Sequence, residues 1–260
     1  MTSVIQANGQ LAYEKYGLGN EILLAFHGFG QDRTIFKAWT EKLNSKYTIY
    51  AFDLFYHGDS NREPDKLRKQ EWSQWISQFL EQESIHQFSV LGYSLGGRFA
   101  ICTALQFCEK ITSLTLIAPD GIFLTPWFKL ATTPGVRIAF KLLMAHPSLL
   151  ERLIRLNEQS KIVNQYVTDF ARKEMGDLQN RKRVYRSWNH FKAIGYPESE
   201  LISKLNQSGF QKTLIIGDKD QIILPKNILR IVRRIKEITV HRLPLKHHQL
   251  IKPEIADLIQ

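Results

Sequence analysis

The chain has 260 residues, 43% of them hydrophobic and 23% charged, with a formal net charge of +10 and two cysteines. That length holds one large core, or one core with a modest insertion, and the composition is that of a globular chain rather than a disordered or fibrous one. No run approaches the about eighteen uninterrupted apolar residues of a membrane span, and no CxxC, HExxH or clustered His/Cys spacing appears, so neither an integral membrane segment nor a metal or other cofactor is expected.

The opening segment MTSVIQANGQ lacks a basic stretch followed by an apolar one, so it reads as no secretory signal and the expected location is the cytoplasm. Asn8-Gly9 stands between two short runs of β character, a strong local signal of a hairpin. The runs EILLAFHG (21–28) and YTIYAFDL (47–54) are apolar almost throughout, as strands buried on both faces are, with a helix-like stretch around FKAWTEKL between them. A helix around WSQWISQFLEQ, a strand at 88–94, the helix LGGRFAICTALQFCEK and a strand at 113–119 continue the alternation. This pattern predicts an α/β fold with a mostly parallel central sheet flanked by helices. Cys102 and Cys108, six apart in one helix, face different ways and read as reduced packing residues.

After Pro119 the alternation stops. Residues 121–205 read as helices and loops punctuated by Pro126, Pro134, Pro147 and Pro197, and are expected to form an inserted helical cap, with 1–120 and 206–260 as the core. The segment holds 14 Lys/Arg against 7 Asp/Glu, which is most of the net charge. A solvated helical surface accounts for that excess, as does attraction of an anionic substrate or a negatively charged surface. The basic residues are scattered and no recognised module surrounds them, so nucleic acid is not an expected partner. Aromatic residues here, among them Trp127, Phe140, Tyr166, Phe170, Tyr185 and Trp188, are material for packing or for a covered pocket. A strand at 213–218, the helix NILRIVRRI, the strand EITVHRLP and a closing helix PEIADLIQ complete the chain.

Gly92-Tyr93-Ser94-Leu95-Gly96 is a G-x-S-x-G placed where an apolar strand ends and a helix begins. A turn that tight exposes the serine hydroxyl, and the helix N-terminus behind it favours a developing negative charge. Three further motifs flank it: His27-Gly28-Phe29-Gly30, the stretch DLFYHGDS (53–60), and GDKDQIILP (217–225). In this order they resemble the α/β-hydrolase fold superfamily over nearly all of the chain except the cap. One departure is Tyr56-His57, which stands where the family's D-x-x-G-x-G-x-S loop has a glycine first.

The resemblance implies a Ser-His-Asp enzyme. It makes Ser94 the nucleophile, the backbone N–H groups of Phe29 and Leu95 the oxyanion hole, and His27 a residue that holds its loop. A serine needs an imidazole to take its proton and a carboxylate to orient that imidazole. Asp220 stands at the family's acid position; Asp218 is closer to the strand end, and Asp120 is the less common alternative. Lys246-His247-His248-Gln249 offers two histidines, of which His247 better fits the spacing to Pro253, while Lys246 replaces the glycine usual before the base.

The implied reaction is hydrolysis of a small-molecule carboxylic ester through an acyl-enzyme, without a cofactor. The continuation Gly-Tyr-Ser-Leu-Gly-Gly-Arg is also similar to a menaquinone-pathway synthase branch, in which Arg98 would help hold a substrate carboxylate for a lyase reaction. A C–C or thioester hydrolase, and a ligand-binding member of the fold, are the other readings left open.

Overall fold

Every residue of the runs Tyr47–Phe52 and Phe88–Tyr93 is buried, a pattern that strands covered on both faces satisfy. In the computed structural model, which describes residues 2–63, 65–124, 126–160, 168, 172 and 175–259, both runs lie inside a nine-stranded sheet. Its strands are β1 (Thr2–Gln6), β2 (Gly9–Tyr16), β3 (Glu21–Phe26), β4 (Tyr47–Phe52), β5 (Asn61–Arg62), β6 (Phe88–Tyr93), β7 (Ile111–Ile117), β8 (Gln211–Gly217) and β9 (Ile238–Leu243). The order is β1-β2-β4-β3-β6-β7-β8-β9, with β5 paired to β2. The pairs made by β1, β2 and β5 are antiparallel, and every pair from β4 through β9 is parallel. This is the mostly parallel sheet that the alternation predicts.

The two-residue period of the strands sorts their side chains into two layers. Leu23 and Ala25 of β3 and Ile49 and Ala51 of β4 join a cluster with Phe36, Trp39, Leu43, Leu250 and Ile255. The alternate residues Phe26 and Phe52 meet an aromatic layer in which Trp72 lies 5.6 Å from Phe26 and Phe79 lies 4.8 Å from Phe52, ring centre to ring centre. A 3-10 turn (Arg33–Trp39) runs into α1 (Thr40–Leu43), which together make up the helix-like stretch after β3. Helix α2 (Lys69–Gln82) buries Trp72, Trp75, Ile76, Phe79 and Leu80, an i, i+3, i+4, i+7 stripe. Helix α3 (Leu95–Gln106) is buried along Leu95–Ala104.

The chain divides into two compact units, one of residues 1–63, 67–123 and 193–260 and one of residues 64–66 and 124–192. The second is narrower than the expected insertion of 121–205. It contains α4 (Pro126–Ala131), α5 (Pro134–Ala145), α6 (Pro147–Ser160) and α7 (Leu178–His190). Phe140 stacks on Trp188 at 5.5 Å and sits 5.9 Å from Tyr185, tying α5 to α7. The side chain of Trp127, and Tyr166 and Phe170, lie outside the described residues. Helix α8 (Glu198–Gln207), which buries Leu201, Ile202 and Leu205, groups with the sheet unit, as does α9 (Pro225–Val232).

Two local expectations shift. The hairpin turn is Ala7-Asn8, because Gln6 pairs with Gly9. Gly9 is the first residue of β2, where a Cβ would lie 2.4 Å from the Asn61 carbonyl oxygen, so the glycine serves the β2–β5 pairing. The closing segment Pro253–Leu258 is a helix of the 3-10 type. Among the described residues, no helix is long and apolar enough to cross a membrane.

Candidate active site

One residue, Ser94, makes the whole turn from β6 into α3, with φ 49° and ψ −116°. A non-glycine residue in such a conformation costs about 1–3 kcal/mol and persists only where its surroundings over-determine it. Here the Ser94 N–H donates to the Ile117 carbonyl at 2.9 Å, and the Ser94 carbonyl accepts from the Gly97 and Asp120 N–H groups at 2.9 and 2.8 Å. The strand-to-helix crossing is so close that a Cβ at Gly96 would stand 2.0 Å from the Phe26 carbonyl oxygen. The first turn of α3 therefore lies against the end of β3, beside the His27–Gly30 loop.

That loop is fixed from within. His27 is fully buried; its Nδ1 lies 2.6 Å from the Gly28 carbonyl and its Nε2 accepts the Leu54 N–H at 3.0 Å. A carbonyl only accepts, so the proton is on Nδ1. Gln31 Oε1 accepts the Gly28 N–H at 3.0 Å. Behind the loop the DLFYHGDS stretch is a structural latch: buried Asp53 accepts from the Arg33 and Asp59 N–H groups at 2.7 and 2.8 Å and pairs with the Arg33 guanidinium. Gly58, at φ +49°, is the position where a Cβ would meet that carboxylate at 2.0 Å. Tyr56, at the position where the resemblance leads one to expect glycine, takes φ 69°, so the loop makes a left-handed turn there without one.

Asp220 follows β8, and its side chain is 1% exposed. Its Oδ1 accepts the N–H groups of Ile222 and Ile223 at 2.8 and 2.9 Å, and its Oδ2 lies 2.6 Å from His247 Nδ1. The carboxylate is an acceptor, so His247 donates from Nδ1, which leaves Nε2 with a lone pair. That Nε2 is 3.0 Å from Ser94 Oγ. His247 opens a 3-10 turn, His247–Gln249, whose start is held by a 2.8 Å bond from the Lys246 N–H to Gln249 Oε1. Lys246 has φ −81°, so no glycine is required there. His248 is exposed on the same turn.

The other candidates are committed elsewhere. Asp218 pairs with Arg242 at 2.7 Å on the surface. Asp120 pairs with Arg98 at 2.7 Å, and the Arg98 side chain is 1% exposed. The structure thus brings Ser94, His247 and Asp220 together and keeps Arg98 sealed beneath the turn. A residue that the motif passes over joins them: Tyr93, the variable position in front of Ser94. Its ring lies 5.2 Å from the His247 ring and its hydroxyl donates to the His247 carbonyl at 3.1 Å. Burial, reinforced by the nearby Asp220, pushes the Tyr93 phenol above its ordinary range and keeps it protonated. Tyr93→Phe is expected to lower kcat about fivefold, the loss of roughly one hydrogen bond's net worth, with no new inflection in the pH profile between 6 and 9; steady-state kinetics on a chromogenic ester measures both.

The sheet order and this strand-turn-helix define a class, and comparison with known proteins agrees. Residues 21–252 match the model of the alpha/beta hydrolase fold family, and the chain belongs to that family. It is 25% identical to the uncharacterized hydrolase YugF of Bacillus subtilis, over 95% of this chain and 93% of that one. It is 28% identical to the pimeloyl-[acyl-carrier protein] methyl ester esterase of Aliivibrio fischeri, over 44% of this chain and 42% of the relative. A thermophilic esterase from Thermogutta terrifontis superposes with a TM-score of 0.73 at 19% identity, covering 100% of this chain and 97% of the other, a likeness of fold.

Proposed function

We propose that the chain is a serine hydrolase that cleaves a small-molecule carboxylic ester in the cytoplasm, without a cofactor, through an acyl-enzyme on Ser94. The observation that carries this reading is the continuous line of hydrogen bonds from Ser94 Oγ through His247 to Asp220, at 3.0 and 2.6 Å. In this reading Ser94 Oγ attacks the ester carbonyl as its proton passes to His247 Nε2. The tetrahedral oxyanion is met by the backbone N–H groups of Phe29 and Leu95, donors worth about 3–4 kcal/mol each. Collapse breaks the ester C–O bond, and His247 returns the proton to the leaving alcohol. Water, deprotonated by His247, then releases the acid. Asp220 holds the imidazole in the tautomer that both half-reactions need. The helical insertion expected at 121–205 is the segment we assign to substrate selection.

The burial of Arg98 against Asp120 weighs against the lyase reading, which needs that guanidinium at a substrate carboxylate. A fluorophosphonate probe tests the proposal: rapid labelling of the wild type, read as a mass shift, and none in Ser94→Ala. Folded wild-type protein that fails to label would overturn it.

A further inference from the structure

Of the eleven large apolar residues exposed among the described residues, seven fall between Leu130 and Leu156. They are not scattered. Helix α5 buries Phe140 and Met144 and exposes Ile138 and Leu142, which are 63% and 55% accessible. Helix α6 buries Leu150 and Ile154 and exposes Leu149, Leu153 and Leu156, all 46% accessible or more. Helix α5 thus carries a second apolar stripe at i, i+4 spacing on the side away from the one that packs, and α6 extends its packed face onto an exposed apolar edge. One apolar stripe is enough to pack a surface helix, and large apolar side chains left exposed beyond it mark an interaction site.

Cations border the stripe. One position before Ile138 and Leu142 stand Arg137 and Lys141, which face Lys182, Arg186 and His190 of α7 across a groove of about 530 Å³, with Asp65 as its one carboxylate. Arg137, Lys141 and Lys182 meet no carboxylate within 4.0 Å among the described residues, although their unit is the basic part of the chain. Around the axis of α5, at about 100° per residue, the packed stripe, the cationic groove and the exposed apolar stripe follow one another in that order. Apolar side chains flanked by Lys and Arg are the signature of helices that lie in the headgroup region of an anionic bilayer.

We propose that the helical unit docks on a membrane surface bearing anionic phospholipid, with Ile138, Leu142, Leu149, Leu153 and Leu156 entering the boundary of headgroups and acyl chains and the α5–α7 groove receiving headgroup phosphate. Charge complementarity selects this occupant. A second copy of the chain, also at +10, would bring cations against cations along the same border. The bilayer supplies apolar volume and negative charge side by side, as the surface requires.

Flotation with phosphatidylcholine vesicles, with and without phosphatidylglycerol, tests the proposal on the full chain carrying Ser94→Ala, so that its outcome does not depend on the catalytic reading. Association with the phosphatidylglycerol vesicles, weakened by added salt, is expected. Each basic residue near such a surface contributes about fivefold to partitioning, so Lys141→Glu/Lys182→Glu lowers it at least about 25-fold. Leu142→Asp/Leu153→Asp lowers it at least about tenfold. Circular dichroism and melting curves show whether both variants remain folded. No association with either vesicle at low salt overturns the proposal. So does a concentration-dependent dimer abolished by Leu142→Asp/Leu153→Asp, which would give the stripe to a second copy, or inorganic phosphate binding in the groove without vesicle binding.

Discussion

Asp220→Asn is expected to lower kcat by about 10⁴-fold while leaving the melting temperature close to that of the wild type. The substituted side chain keeps a carbonyl oxygen for the Ile222 and Ile223 N–H groups, which hold Asp220 Oδ1 at 2.8 and 2.9 Å, so the loop retains its shape. What changes is the atom facing His247. An amide NH₂ there donates, forcing His247 to accept at Nδ1 and to carry its proton on Nε2, 3.0 Å from Ser94 Oγ. The imidazole then offers Ser94 a hydrogen when it should take one. Initial rates on a series of esters, with a thermal melt beside them, read both quantities. A residual kcat within tenfold of the wild type would remove Asp220 from the orienting role and leave the proposed relay without its anchor.

Arg33→Met is the stability counterpart, with an expected loss of about 3–5 kcal/mol in urea unfolding. Asp53 has a fully buried side chain, and the Arg33 guanidinium is its ionic partner. Removing that partner leaves a carboxylate in the interior without its countercharge, held by the backbone N–H groups of Arg33 and Asp59. The double variant Arg33→Met/Asp53→Asn is expected to recover much of the loss, because a neutral amide needs no countercharge. A cost under about 1 kcal/mol for the single change would place the pair with solvent-screened surface ion pairs. The latch adjoins the loop beside the serine: Asp53 directly follows β4, whose neighbour β3 leads into the His27–Gly30 loop.

Much of this architecture is readable in the chain because parallel strands buried on both faces are written as unbroken apolar runs. EILLAF, YTIYAF, FSVLGY and TLIIG all fall in strands. The strand-to-helix serine is readable because the crossing geometry excludes a Cβ at Gly96, and that steric demand appears as a glycine. Other features have no such one-residue signature. Arg98 stands one helical turn after Ser94, so sequence alone places it near the nucleophile; its commitment to Asp120 depends on how the chain turns after β7. The choice between His247 and His248 depends on a 3-10 turn, where the alternating directions of an extended segment do not apply. Tyr93 was invisible for a related reason: it occupies a variable position in the motif, and its bond to the His247 carbonyl joins residues 154 apart in sequence. The limits of the helical unit were blurred because α8 has the same helical periodicity as its neighbours while packing with the sheet unit.

Strands β7 and β8 pair directly, Ile117 against Ile215, although the helical unit lies between them in the sequence. On a ribosome the amino-terminal part emerges first, and it already contains Ile117, Gly97 and Asp120, whose backbone groups bond to those of Ser94. The carboxylate and imidazole arrive only with the final stretch of translation, after a long loop has been closed. Until then the serine is an ordinary alcohol. In the proposed mechanism a chain that ends before Asp220 and His247 therefore lacks both groups that would activate Ser94, whatever the state of its turn.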